Sequence, residues 1–254
     1  MPLTRAIVKP PSSTFAGGLT TSSLGKPSQE LAQAQHERYC EALERCGLAL
    51  TRLAADERYP DSTFVEDTAI LVGGGAIVCR PGAESRRGEV AAIRPALPAV
   101  LGTIEPPGTV DGGDVCDAGD RFLIGLSSRT NDEGARQLAA ILSRHGHEST
   151  ALDLRDEPGL LHLKSGLAAL HDGRLVAVSA LAGRTELRDR TLIGVADDEA
   201  YAANCIGING RVLIASGFPR LLRSLRELRY DVVTLDMSEF QKMDGGLSCL
   251  SLRS

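Results

Sequence analysis

The chain has no tryptophan and few other aromatic residues, five Phe and four Tyr among 254 residues. With 43% hydrophobic and 24% charged residues it is still an ordinary globular composition, long enough to bury a substantial core. It also lacks an excess of positive charge. A net charge of -5 argues against a dedicated binder of nucleic acid or anionic membrane. The one basic cluster, Arg86 and Arg87 in AESRRGE, lies between two glutamates. None of the six cysteines forms a CxxC pair, and their spacing fits neither a zinc site nor a secreted disulfide framework. No segment approaches the roughly 20 apolar residues that span a bilayer. The opening MPLTRAIVKPPSS lacks the apolar centre of a signal peptide, so a cytoplasmic location is expected. Neither a long polar linker nor a low-complexity tract divides the chain, and residues 1–254 are read as one α/β domain.

What is present is a recurring unit of two short apolar strands, a helix and a further strand. VCDAGDRFLIGLS predicts two strands turning at Ala118-Gly119-Asp120. RTNDEGARQLAAILSRHG predicts a helix capped by Asn131, with Ala135, Leu138, Ala139 and Leu142 on one face and Gly146 at its stop. ESTALDL then returns as a strand. DTAILVGGGAIVCRPG and the Pro95-interrupted RRGEVAAIRPAL repeat the pattern. So do LHLKSGLAALHDGRLVAVSA, turning at Asp172-Gly173, and NCIGINGRVLIASG, turning at Asn209-Gly210. Pro219 opens a helix over RLLRSLRELRY, followed by the strand DVVTLDM. SQELAQAQHERYCEALERCG is a helix with Tyr39, Ala42, Leu43 and Cys46 on one face. About five such units, roughly 40–50 residues apart, point to an internally repeated α/β assembly. The tight turns argue against a doubly wound parallel sheet, whose strands are joined by helices.

Polar residues gather in YPDSTFVED, PGTVDGGD, LHLKSG and DGGLSCL. Each has a plain explanation alone: Asp-Gly-Gly as a turn, His162 as a core histidine, Cys249 as packing. Leu247, Cys249 and Leu250 read as a short strand entered through Gly245-Gly246. Together the four stretches supply a thiol, an imidazole and several carboxylates at structural boundaries, with arginines nearby.

These stretches, with GLTTSSLGKP, RPGAESRRGE, SSRTNDEGARQ and YAANCI, resemble the dimethylarginine dimethylaminohydrolases of the guanidino-modifying (pentein) superfamily. The resemblance covers most of the chain. It implies a five-bladed α/β propeller of pseudo-symmetric ββαβ modules, and a cysteine hydrolase that converts Nω-methylated arginine to citrulline without metal or organic cofactor. By motif position, Cys249 is the implied nucleophile, His162 the general acid and then base, and Asp111 the acid holding the imidazole. Asp67 is implied to pair with the guanidinium, with Glu66 beside it. Asp61 is assigned to the α-amino group, Arg86 and Arg129 to the α-carboxylate, and Met243 to the substrate-binding set. Gly17-Gly18 precedes Leu19 in an expected lid, with the Leu19 carbonyl facing the α-amino group.

The residue types suit this chemistry. A thiolate attacks a resonance-stabilised guanidinium carbon better than other side-chain nucleophiles. One imidazole can protonate the departing amine and then deprotonate water. Gly245 and Gly246 are expected to let backbone approach the substrate. Arginine deiminase is the nearest rival, but Lys164 stands where its H-x-D pattern carries a second carboxylate, which favours methylated substrate. An amidinotransferase and a non-catalytic arginine-binding protein are the other rivals. The remaining cysteines, Cys40, Cys46, Cys79, Cys116 and Cys205, are assigned to packing, and an exposed sheet edge is the expected contact of a homodimer.

Overall fold

A computed structural model describes residues 2–157 and 159–254. Among the described residues, fifteen short strands form five three-stranded sheets. The first strands are β1 (Arg5–Val8) and β2 (Ala49–Arg52). β3 (Ala69–Val72), β4 (Gly75–Val78) and β5 (Ala99–Thr103) make the second sheet. β6 (Val115–Asp117), β7 (Arg121–Leu126) and β8 (Glu148–Asp153) make the third. β9 (Leu167–Ala169), β10 (Leu175–Val178) and β11 (Leu192–Val195) make the fourth, and β12 (Ile206–Ile208), β13 (Arg211–Ala215) and β14 (Asp231–Leu235) the fifth. The last strand, β15 (Ser251–Arg253), returns to the first sheet, where it pairs antiparallel with β1 while β2 pairs parallel. Every sheet thus has one antiparallel and one parallel partner around a central strand, the ββαβ pattern expected of a five-bladed α/β propeller.

Local chemistry explains the repeat. A tight turn suffices for each antiparallel pair, whereas the parallel strand needs a crossover. Asn209 and Gly210 both take positive φ, 46° and 84°, the backbone of the two-residue hairpin turn between β12 and β13. The crossovers vary in length. Helix Gln29–Arg45 has 17 residues and helix Asp132–Arg144 has 13, the latter capped by Asn131 accepting from the Gly134 amide. Helix Glu89–Ile93 has only five, because Pro95 follows in a tighter turn, and helix Ser179–Ala182 has four. Pro219 opens helix Pro219–Glu227.

The buried apolar residues fall into four clusters rather than one. One contains Tyr39, Ala42, Leu43 and Cys46 of the first helix, as their spacing predicts. It also holds three of the five phenylalanines: Phe15, Phe64 and Phe240 meet with ring centroids 5.5–6.3 Å apart. Of the three, Phe64 also borders the pocket described below. Cys40, Cys46, Cys79, Cys116 and Cys205 are buried and unpaired, as packing requires. Among the described residues no helix is long and apolar enough to cross a membrane.

One local expectation is corrected. Ser248–Leu250, including Cys249, form a single 3-10 turn, and the strand begins only at Ser251. The pairing of Ser251 with Val8 explains the shift: β15 extends antiparallel to β1 from that residue onward.

Candidate active site

A small pocket is lined by Leu19, Asp61, Phe64, Asp67, Arg86, Arg129, Leu161, His162, Met243, Asp244, Gly245 and Cys249. It contains eight of the ten residues assigned from sequence; Asp111 lies directly behind His162, and Glu66 lies elsewhere.

Asp111 is fully buried, and its Oδ2 lies 3.0 Å from His162 Nε2. Its Oδ1 accepts the Gly82 amide at 2.8 Å, so the carboxylate is held from both sides. The other face of the imidazole lies over Gly113. A Cβ there would come within 2.8 Å of His162 Nδ1 and 2.9 Å of Asp67 Oδ1, so only glycine lets the ring and that carboxylate sit together. Burial is the largest influence on His162 and pulls its pKa down. Asp67, Asp114 and Asp111 overcome it and bring the value up to about 9. The resting ring is therefore an imidazolium.

Cys249 sits on the 3-10 turn, and its Sγ accepts the Gly246 amide at 3.4 Å. Burial first, then the Glu66 and Asp67 charges, push the thiol up to about 12 against the Gly246 amide and Lys164. At neutral pH it rests as a thiol. Asn204, of YAANCI, fixes this turn: its Oδ1 accepts the Ser248 amide, and its Nδ2 donates to Ser248 Oγ and to the Lys164 carbonyl. Gly245 and Gly246 serve packing here. A Cβ on Gly245 would meet the Phe64 ring at 2.2 Å, and one on Gly246 would meet Asn204 at 2.5 Å, so both glycines let the turn close on its own supports, and Gly245 also lines the pocket.

Asp67 Oδ1 accepts the Gly113 amide at 2.9 Å and Oδ2 accepts Arg86 Nη1 at 2.5 Å. Burial opposes its charge, but Arg86, His162 and the Gly113 amide hold its pKa below the usual carboxylate range. Two acceptor positions of this anion have no protein donor among the described residues, and the side chain lines the pocket. Arg86 is committed far more than sequence suggested. Its Nε and Nη2 form a fork on Glu89 at 3.0 and 2.8 Å, and Nη2 also reaches the Asp61 and Phe64 carbonyls. One of its five N–H groups is left for a ligand. Arg129 is half-buried, and among the described residues its guanidinium has no hydrogen bond or ion pair.

The Leu19 amide donates to both oxygens of Asp61 at 3.1 Å. Burial raises the Asp61 pKa, with Arg86, that amide and Arg129 pulling it back. The lid segment is tied down further along, where Thr20 Oγ1 donates to the Lys242 carbonyl and Thr21 donates to Asp244 Oδ2. Met243, almost fully buried, completes the wall beside Gly18.

Glu66 is the exception. Its carboxylate accepts Lys164 Nζ at 2.6 Å and Ser248 Oγ at 2.8 Å, with Arg253 3.8 Å away, and it lines a separate cavity with Gly112, Ser251 and Arg253. It does not stand beside Asp67 in the pocket. Lys164 shares that second cavity, so the position compared with the deiminase carboxylate does not border the thiol. Sequence reading missed Glu89, Phe64 and Leu161. The three-residue step from Arg86 to Glu89 was the available signal for the first.

One oxygen or nitrogen from each of Asp67, Asp111 and His162 lies within 4.8 Å of the others, a spacing that could hold a metal ion. Each of these groups already has a protein partner: Asp111 with His162, Asp67 with Arg86 and Gly113. The set is a proton-handling network with an anion facing the pocket.

A ring of five ββαβ sheets carrying a thiol, an imidazole and carboxylates around one pocket defines the guanidino-modifying penteins. No protein-family model matches the chain. Among curated proteins, it is 45% identical to the N(G),N(G)-dimethylarginine dimethylaminohydrolase of Pseudomonas aeruginosa, over 97% of this chain and 98% of that one. The enzyme of the same name from Streptomyces coelicolor is 36% identical, over 100% and 98%. The solved P. aeruginosa enzyme, in a variant complexed with citrulline, superposes with a TM-score of 0.95 at 42% identity, covering all of both chains. The N-terminal domain of ArgZ, at 21% identity, shares the fold with a TM-score of 0.87 over 98% and 97%. The chain belongs to the dimethylarginine dimethylaminohydrolase family.

Proposed function

We propose that this protein hydrolyses Nω-methylated arginines, asymmetric dimethylarginine and monomethylarginine, to citrulline and dimethylamine or methylamine. The observation that carries the reading is the convergence of Cys249, His162 and Asp67 on one pocket, with Asp111 bonded to the far side of the imidazole. Asp67 takes the substrate guanidinium, whose positive charge offsets the carboxylates that hold the thiol protonated. The Cys249 thiol then gives up its proton to water, since the ring is already protonated, and the thiolate so formed attacks the guanidino carbon. The imidazolium of His162 gives its proton to the departing methylated amine, leaving a thiouronium on Cys249. The neutral ring next takes a proton from water, whose oxygen adds to the same carbon, and the C–S bond breaks to release citrulline. Asp111 keeps the ring oriented through both steps. Asp61 and the Leu19 backbone receive the α-ammonium, and Arg129, assisted by the one free N–H of Arg86, receives the α-carboxylate. Phe64, Leu161 and Met243 give the methyl groups an apolar wall. The reading needs no metal or organic cofactor.

We further place the protein in the cytoplasm, consistent with five buried free thiols, and assign a homodimer through an open sheet edge. Citrulline release from asymmetric dimethylarginine, monomethylarginine and arginine, beside a Cys249→Ser control, tests the function. Turnover of the methylated substrates, lost in the control, is the expected result. Turnover of arginine alone points to a deiminase. Amidino transfer to an added amine, with little citrulline, points to a transferase.

A further inference from the structure

Asp114, the second acid of the DGGD run, is fully buried and has no step in the chemistry above. Its Oδ1 accepts the Leu163 amide at 3.0 Å, one residue beyond His162. Its Oδ2 accepts the Ser127 hydroxyl at 2.6 Å and the Thr130 hydroxyl at 2.7 Å, on either side of Arg129. Those hydroxyls are engaged again. Ser127 Oγ accepts the Arg129 and Thr130 amides at 3.0 and 3.2 Å, and Thr130 Oγ1 accepts the Asp111 amide at 3.1 Å. One carboxylate therefore joins the backbone at the imidazole, the backbone at the free arginine and, through Thr130, the backbone of Asp111.

A packing role does not account for this. No cation lies within ion-pair distance of Asp114 among the described residues, and burial pushes its pKa up to about 6 against His162 and its three hydrogen bonds. Keeping an unpaired carboxylate in the interior is costly, and an apolar side chain would fill the space without that cost. What an apolar residue cannot do is accept three donors arriving from two segments at once. Those segments carry the groups that meet opposite ends of the substrate.

We propose that Asp114 is a positioning residue that fixes the separation between the Arg129 guanidinium and the His162 imidazole, and so selects the side-chain length of the amino acid that reacts. The inference rests on the functional reading above. An α-amino acid whose carboxylate is anchored at Arg129 brings its guanidino carbon to Cys249 only if the number of methylenes matches that gap. Loosening the strut blurs the match. An offset of about 1 Å at a reacting centre is enough to cost two orders of magnitude in rate.

The test compares monomethylarginine with its homologue one methylene longer, in wild type, Asp114→Asn and Ser127→Ala, with functional sites counted by alkylation of Cys249. For Asp114→Asn, KM for monomethylarginine is expected to rise about tenfold, and the preference for the shorter substrate to shrink by about as much. Its alkaline limb in kcat/KM should move to lower pH, because a negative charge that raises the His162 pKa is gone. Ser127→Ala cuts only the arginine side. It should raise KM and weaken length discrimination while leaving that limb in place, and it carries the test if Asp114→Asn does not fold. Unchanged KM, length preference and pH limb per functional site would overturn the strut. A wild type that releases no citrulline from any methylarginine overturns the functional reading instead.

Discussion

Two cavities share no lining residue, and the chain deals neighbouring residues between them. Asp67 lines the pocket with the thiol, and Glu66 lines the other cavity. Cys249 faces the first, and Ser248 the second. The two carboxylates differ by one residue in sequence and completely in circumstance. Glu66 is matched by Lys164, Ser248 and nearby Arg253. Asp67 is held by one arginine and one amide, with acceptor capacity left over. An anion already satisfied is structure; an anion with spare capacity beside a nucleophile is a seat for a cation.

The sharpest way to break this comparison is at Asp67. Asp67→Asn should lower kcat/KM for monomethylarginine by roughly 10²–10³-fold, the loss expected when a buried charge partner is removed. The same change takes away one of the charges that raise the Cys249 pKa. More thiolate is then present at any pH below about 12, so iodoacetamide alkylation at pH 8 should be several-fold faster in the variant than in wild type. Slower turnover with faster alkylation is the required signature; a parallel fall in both would show that Asp67 only supports the fold.

Next comes the contrast between the two arginines. Arg86→Met leaves Asp67 and Glu89 buried without their cation and should cost about 3–5 kcal/mol of stability, visible as a lowered midpoint in urea. Arg129→Met removes a guanidinium with no partner among the described residues. It should leave the midpoint nearly unchanged and raise KM by about 10–100-fold with a smaller change in kcat. Equal loss of stability in the two variants would erase the distinction between a structural and a ligand-facing arginine.

The smallest effect is expected in the second cavity. Lys164→Met deprives Glu66 of its closest partner, but Lys164 is partly exposed and Ser248 remains, so about 1–2 kcal/mol of stability is at stake. The ratio of kcat/KM for monomethylarginine to that for arginine should stay within about threefold of wild type. A larger swing toward arginine would restore residue 164 to a direct part in selectivity.

Much of the fold could be read from sequence because its punctuation is strong. Asn209-Gly210, Gly119, Asp172-Gly173 and Pro219 mark turns and a helix start where backbone geometry allows few other residues. β1 and β2 went unread, being four residues each with no flanking hairpin signal, since their partners lie elsewhere in the chain. Which residues gather at one pocket was legible for Cys249, His162, Asp67, Asp61, Arg86, Arg129, Leu19 and Met243, with Asp111 behind the imidazole. Side-chain direction was not. Glu66-Asp67 and Ser248-Cys249 both sit on 3-10 turns, Val65–Thr68 and Ser248–Leu250. With three residues per turn, neighbours point about 120° apart, so adjacent motif letters go to different cavities. The commitment of Arg86 to Glu89 was hidden for a related reason: motif position shows which residue reaches a site, not how many of its donors are already in use.

The pairing of β1 with β15 also bears on how the molecule comes into being. Ser251 meets Val8 across nearly the whole length of the chain, and contacts of such separation form late because a long loop must first be closed. Cys249 lies two residues ahead of that pairing. Four sheets can assemble from neighbouring segments alone, but the thiol reaches its pocket only when the first sheet takes its last strand. Catalytic competence is thus a built-in inspection of assembly, and recovered activity after dilution from denaturant should trail the return of secondary structure.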